Sequence, residues 1–494
     1  LSGRQEVAIQ AAHHYCRSLS RDKARVYSLV AARLAQRRNA NRQAISWLER
    51  FLELADDQGR SNVSREDLYY AFDQLGELYS LTGEGASAES HLRRALELAE
   101  TGEEKARTLG RIGNHYYLQS AYEQARKAQE QALEIATDPL QKAEILCSLV
   151  FLDFIEGRTT EGLALLENVA RLAESAGEGC DEARKNGVMA TYYLRMGDFT
   201  HRADPGANAL EYFDRALELF RQHGDISREA TVLNNMCETL AVSGEHERAV
   251  ENLRKAEDIW SRLGDALGLA IVYHNLAEQY THMSQMNLAR EYFHRYLETS
   301  REIDNRLGEG YGKLGLGKLL EQEGDLASAE SHYGEAMKVF EELGGRDMLL
   351  DAVVSRGEML ALLGRLDEAR EMVGRLEAAR NEDFGIAQES GLLYLKGLLL
   401  HLSGSGAERE AVDCFSAAMR EGAALPFYTE TKRRFLFSQL LEAVGDRQAA
   451  EEQLRLARVR LEKALSVISD PAVRSGMKEK HFVALLVERS APGG

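Results

Sequence analysis

The feature that most constrains this chain is a repeat. Glycine-led turns recur at Gly83-Glu84, Gly157-Arg158, Gly197-Asp198, Gly244-Glu245, Gly324-Asp325, Gly364-Arg365 and Gly445-Asp446. Gly244, Gly324 and Gly364 are separated by 80 and 40, Ser284-Gln285 fills the gap, and Ser120 lies 37 from both Gly83 and Gly157. A period near 40 means one supersecondary unit copied many times. A unit of that size cannot bury its own apolar face and must stack on its neighbours.

Other positions keep step with these markers. Five residues after the marker stands a small residue: Ala44, Ala88, Ala125, Gly162, Ala249, Ala289, Ala329, Ala369 and Ala450. Seven before it stand Gly76, Gly113, Ala190, Cys237, Ala277, Gly317, Gly357, Gly397 and Ser438, with Val150 the large exception. Twelve after it come Ala95, Ala132, Ala256, Ala336 and Ala457. Two antiparallel helices joined by a short turn approach closely only where small side chains meet at the crossing. The spacing of apolar residues between these columns is helical, as in Leu326–Phe340. With 5 prolines among 494 residues, the chain reads as all-α.

This pattern resembles the tetratricopeptide repeat, with small residues at three fixed positions and glycine at the turn. The resemblance covers roughly 21–466. The unit here is about 40 residues rather than about 34, and the proline that usually closes the second helix is missing. The longer unit is similar to the repeats of maltose-regulator-type signal-transduction ATPases and of kinesin light chains. The fold this implies is a right-handed superhelical α-solenoid of about eleven hairpins. They are expected at about 21–56, 65–100, 103–137, 139–176, 181–223, 226–263, 266–304, 306–343, 346–380, 384–421 and 426–466. Residues 1–20 are expected to form an N-terminal capping helix. Residues 467–494 supply a C-terminal capping helix and tail, starting after Asp470-Pro471.

Charge narrows the partners. Lys and Arg total 61 against 79 Asp and Glu, a net charge of −18. Phosphate backbones and anionic membranes need a basic stripe, so nucleic acid and membrane surfaces are not expected partners. The five cysteines form no C-x-x-C pair, which fits a reducing, cytoplasmic setting without disulfides or structural zinc. The first residue is not Met, which suits a segment excised from a longer protein.

Chemistry is not expected. Gly310-Tyr-Gly312-Lys-Leu-Gly315 spells a dinucleotide-type glycine pattern, but no strand precedes it. It sits instead in the first helix of the eighth hairpin. Five glycines in ten residues each cost that helix about 1 kcal/mol relative to Ala, which suggests a hinge. His13-His14-Tyr-Cys16 has no second pair of metal ligands. No cofactor, metal or catalytic residue is assigned. After Gly197 seven extra residues precede the return to register, and about two are added near 403–406; both read as longer loops.

The first helices of such hairpins line the concave face, on the residues 13, 10, 9, 6, 3 and 2 before each marker. In the middle of the array that face is polar: Asn234, Asn235, Glu238, His274, Asn275, Glu278, Lys318 and Glu321. LNNMCETL and YHNLAEQY are similar to the asparagine-bearing first helices of kinesin light chains. That resemblance implies that Asn235 and Asn275, one period apart, would hold an extended peptide's backbone through amides that both donate and accept. The N-terminal third instead shows Tyr70, Arg107, Arg111, Asn114, Tyr117, Phe151 and Phe154, an aromatic and arginine surface suited to peptide side chains. Asn114 matches the asparagine of the carboxylate clamp of some chaperone-binding members, but that clamp's lysines do not recur.

The leading expectation is a regulatory interaction module of a signalling protein, binding a protein, a peptide or a small effector on its concave face, with the groove at 226–360 as the place where an adaptor would clamp a peptide. A free-standing adaptor clamping an extended peptide is one alternative. The helical accessory region of a larger enzyme, such as a kinase or protease, is another.

Overall fold

The computed structural model describes residues 14, 21–37, 40–56, 63–119, 121–177, 180–204, 208–380, 385–404, 406–421, 427–466 and 471–489. Among them stand twenty-four helices and no strand. Twenty-two form eleven successive hairpins. The first six are α1 (Arg21–Arg37) with α2 (Asn41–Asp56), α3 (Arg65–Leu81) with α4 (Gly85–Leu98), α5 (Gly102–Leu118) with α6 (Tyr122–Ile135), α7 (Pro139–Ile155) with α8 (Thr159–Ser175), α9 (Glu182–Ala203) with α10 (Ala209–His223), and α11 (Ile226–Val242) with α12 (His246–Leu263). Then come α13 (Ala266–His282) with α14 (Met286–Glu302), α15 (Arg306–Glu323) with α16 (Leu326–Leu343), α17 (Arg346–Leu362) with α18 (Leu366–Ala378), α19 (Ile386–Leu402) with α20 (Glu408–Glu421), and α21 (Phe427–Ala443) with α22 (Arg447–Ser466). The expected capping helix is two short helices, α23 (Pro471–Glu479) and α24 (His481–Glu488). The N-terminal cap expected at 1–20, and the His13–Cys16 motif, lie outside the described residues apart from His14.

The small-residue columns are the hairpin crossings. Ala44, Ala88, Ala125, Ala249, Ala289, Ala329 and Ala369 are fully buried, as are Ala95, Ala132, Ala256, Ala336 and Ala457. The glycine seven before the turn faces a large residue 16 positions on. A Cβ on Gly76 would stand 2.5 Å from Leu92, on Gly113 2.6 Å from Gln129, and on Gly317 2.6 Å from Tyr333. The turns close in the left-handed region. Gly324 has φ +87° and, where no glycine stands, Ser284 has φ +58°, a conformation that costs a Cβ-bearing residue energy. A second series closes the joints between hairpins, also 40 apart: Gly224, Gly264, Asp304 and Gly344, all at positive φ.

The described contacts divide the chain into two units, Leu1–Val242 with Glu251–Leu269, and Ser243–Val250 with Ala270–Gly494. In the first, the expected loop after Gly197 is a helix. Helix α9 runs 22 residues, to Ala203. Gly197 is therefore no turn marker. It takes the place seven before a turn at Asp204, and its partner 16 on is Phe213, 2.6 Å from a Cβ built there. The added turn is kept helical by burial: Phe199 is 1% exposed and its ring fills the space that a side chain on Gly162 would need.

In the second unit the glycines of helix α15, where a hinge was expected, serve as a packing surface. The rings of Phe340, Phe293 and Tyr333 lie against Gly310, Gly315 and Gly317, and Leu297 lies against Gly312. The inner ends of α15 and α17 bury two carboxylates, Glu321 and Glu358, around the ammonium of Lys432 on α21. Tyr333 donates to Glu321 at 2.8 Å and Tyr394 to Glu358 at 2.6 Å. Helix α24 then packs Phe482 against Tyr428 and Phe435, and Lys480 just before it donates to the Thr281 carbonyl at 3.1 Å.

Candidate functional site

The first helices of hairpins two to six open a cavity of about 770 Å³ in the first unit. Each helix starts from a fixed point. Ser64, Thr101, Asp138 and Asp181 cap α3, α5, α7 and α9 through their side chains, each cap contributing about 1 kcal/mol. On α5 and α7 the cavity wall follows the columns expected from the sequence: Arg107 with Glu144, Gly110 with Cys147, Arg111 with Ser148 and Asn114 with Phe151. On α9 the crossing at Gly197 shifts the register by seven, so that Thr191, Leu194 and Arg195 take the first three places, and Arg184, Gly187 and Val188 line the wall from nearer the start of the helix. Small residues open the space. A Cβ on Gly187 would meet nothing within 4 Å, and one on Gly110 only Gln129 Oε1 at 3.6 Å. Burial pushes the Cys147 thiol up to about 12, so it stays protonated and acts as a small neutral filler.

The charged groups of the wall divide into two kinds. Arg111 is committed: it reaches Asp73 Oδ2 at 2.7 Å, the Asp73 carbonyl at 2.8 Å and Glu77 at 2.8 Å. Burial raises the Asp73 carboxyl against the lowering effect of Arg111 and of the Thr108 hydroxyl. Arg184 likewise holds Glu144 at 2.7 and 2.9 Å and Asp138 at 2.6 Å. Arg195 is less committed. Its guanidinium lies 3.8 Å above the Phe151 ring, one nitrogen donates to Asp198 at 2.8 Å, and its Nε is buried without an acceptor. Phe151 in turn meets Tyr117 edge-on at 5.1 Å. Tyr117, Phe151 and Arg195 thus form a continuous stack across α5, α7 and α9. Burial raises the Tyr117 hydroxyl's pKa, with Arg195 opposing.

Of the residues expected from sequence, Arg107, Arg111, Asn114, Tyr117 and Phe151 line this cavity. Arg111 does so as a cross-link between α3 and α5. The middle-array residues do not line it. Asn234 is 8% exposed, and Asn235 donates to the buried Asp198 at 3.0 Å. Glu238 lies 3.4 Å from His201. In the second unit His274 packs 5.0 Å from the Tyr296 ring and 3.7 Å from Glu278. Asn275 is half-buried, and Lys318 is exposed. Asn235 and Asn275 fall in different units, so the structure does not describe them as one ladder. Glu321, expected on the concave face, is buried beside Lys432. Of the N-terminal aromatics, Tyr70 donates to Gln36 at 2.6 Å and Phe154 lies under Arg202 at 3.6 Å.

Sequence reasoning missed Arg195, Gln129 and Gln141, all on the cavity wall. For Gln129 a signal existed. It occupies the position 16 after the crossing glycine, where other hairpins carry Leu92, Phe213 or Tyr333. Among the described residues there is no group of three or more His, Cys, Asp or Glu placed to hold a metal, and no helix long and apolar enough to cross a membrane.

Comparison with known proteins agrees with this architecture. The family model for the tetratricopeptide repeat matches residues 67–138, 228–302 and 268–342. The regulatory protein AfsR of Streptomyces griseus is 26% identical over 251 residues, 50% of this chain and 23% of that protein. The chain spans under a quarter of the length of the curated relatives it matches. Aspartyl phosphate phosphatase F of Bacillus subtilis aligns at a TM-score of 0.49 and 14% identity, over 83% of this chain and 96% of that one. A signal transduction ATPase with a tetratricopeptide repeat sensor from Pyrococcus horikoshii aligns at 0.44 and 17%, over 67% and 51%. The matched segments, residues 67–138 and 228–342, are tetratricopeptide repeats, and the other hairpins repeat the same helix–turn–helix architecture.

Proposed function

We propose that this chain is the partner-holding, regulatory part of a signalling protein, and that it holds an extended peptide segment of a protein partner in the cavity between α3 and α11. In this reading the chain itself carries out no reaction. The observation that carries it is the set of small residues Gly110, Cys147 and Gly187 on a wall that also presents aromatic, amide and arginine side chains. Three successive first helices each leave side-chain volume out of the wall, which admits a peptide main chain. The flanking Tyr117–Phe151–Arg195 stack offers both faces and donors to the peptide's side chains. Similarity over half of the chain to a longer regulatory protein fits the same reading.

The test is selection of binders from a random-peptide phage library on the immobilised chain, followed by affinity measurement with Gly187→Leu. The leucine would enter open space, so folding is expected to persist while affinity drops at least about tenfold, roughly 1.4 kcal/mol. Selected peptides that bind Gly187→Leu as tightly as the parent chain would show that the cavity is not the holding surface.

A further inference from the structure

Gln129 occupies a position built for an apolar residue. Its counterparts Leu92 and Tyr333 pack on the crossing glycines Gly76 and Gly317, as Gln129 does on Gly113. Gln129 is 2% exposed. Its Nε2 donates to the Gly110 carbonyl at 2.9 Å and to Asn114 Oδ1 at 2.9 Å, and its Oε1 has no donor at all. A leucine would leave no acceptor unmet there, so the amide is poor core material.

The two bonds settle the orientation of both amides. A main-chain carbonyl only accepts, so the Gln129 nitrogen faces Gly110. Its second hydrogen then requires the oxygen of Asn114. The Asn114 side chain is exposed and lines the cavity. With its oxygen held from behind, its NH₂ group is what remains for the cavity.

We propose that Gln129 is a positioning residue, which turns the Asn114 carboxamide so that its NH₂ donates to a main-chain carbonyl of the peptide held in this cavity. The inference rests on the peptide-holding reading above and adds to it the group that meets the main chain. It also accounts for Gly110, whose missing side chain leaves the carbonyl that Gln129 grips and the space before Asn114 open together.

The experiment is a double-mutant cycle in the full chain, with a library-selected peptide as the probe and affinity as the readout. Asn114→Ala and Gln129→Leu are each expected to weaken binding roughly five- to tenfold, the range of one hydrogen bond. The double variant is expected to be no weaker than either single one to within about twofold, because both remove the same interaction. Gln129→Leu is expected to keep or raise the thermal midpoint, since Leu92 fits the equivalent site. Unchanged affinity in Gln129→Leu, or fully additive losses in the double variant, would overturn the positioning role. Lost affinity explained by a fallen midpoint would overturn it too, leaving a structural role only. A library that yields no binder to the parent chain would instead refute the peptide-holding reading itself.

Discussion

Lys432 Nζ lies 2.7 Å from Glu358 Oε2 in the interior of the second unit, although 74 residues separate them. Glu321, a further 37 residues back, takes the same ammonium at 2.6 Å. The side chains are 3%, 5% and 8% exposed for Lys432, Glu358 and Glu321. Lys432→Met is expected to destabilise the chain by about 3–5 kcal/mol, because it strands two buried carboxylates. Adding Glu321→Gln and Glu358→Gln is expected to recover much of that loss, since glutamine still accepts from Tyr333 and Tyr394. Urea unfolding of the single and triple variants measures both.

Lys480 is the opposite case, a buried ammonium that among the described residues donates to the Thr281 carbonyl and meets no carboxylate. Burial pushes its pKa down from 10.5 to about 8. The neighbouring His282 is driven to about 3, by burial first and then by Lys480, His246 and Lys318, so it is neutral at physiological pH and adds no charge. A lysine lowered in the folded state binds fewer protons folded than unfolded between pH 8 and 10.5. Stability from this group therefore rises with pH across that window, and the penalty is fully present below it. The shift corresponds to about 3 kcal/mol. Lys480→Met is expected to stabilise the chain by about 1–3 kcal/mol at pH 7 and by less at pH 10. Urea midpoints at the two pH values decide it, and equal gains at both would contradict the assignment.

Gly315 gives a test of the glycine-rich helix. Alanine is intrinsically better there by about 1 kcal/mol, but its Cβ would meet the Phe293 ring. Overpacking typically costs 1–3 kcal/mol. Gly315→Ala is expected to lower stability by about 1 kcal/mol or more, read from the thermal midpoint. Hydrogen exchange in residues 308–317 is expected to be as slow as in the neighbouring hairpins. Fast exchange confined to that stretch would support the hinge instead.

Phe199 holds the added turn of α9. Phe199→Ala is expected to cost about 3–5 kcal/mol, because the Gly162 position it fills offers no side chain to close the gap. Circular dichroism and urea unfolding measure the loss. A cost under about 1 kcal/mol would mean that the turn is held by something other than this ring.

Much of the fold was legible in the sequence because it rests on local steric rules. Small residues at hairpin crossings, and a residue tolerant of positive φ at each turn, recur in register and can be counted. The eleven hairpins, and even the turn at Ser284, follow from that. At Gly197 those local rules stop deciding. The same glycine serves a turn or a crossing, and the choice depends on Phe199 and Phe213 finding space on other helices. The site was legible in part for the same reason. Asn114 and Tyr117 lie on a periodic face, whereas Gln129 is on a second helix and reaches the cavity past Gly110 and Gly113.

By itself the sequence determined the period, the all-α hairpin and the columns that face inward, since these depend on contacts within one repeat or between adjacent ones. Only the tertiary structure decided which inward residues remain open. Arg111, Asn235 and Glu321 share the periodic face with Asn114, yet each is drawn into a partner on a different helix: Asp73, Asp198 and Lys432 respectively. A buried charge or amide takes the partner that the packing brings within about 3 Å. That proximity is a property of helices 37 to 111 residues apart, which no local pattern records.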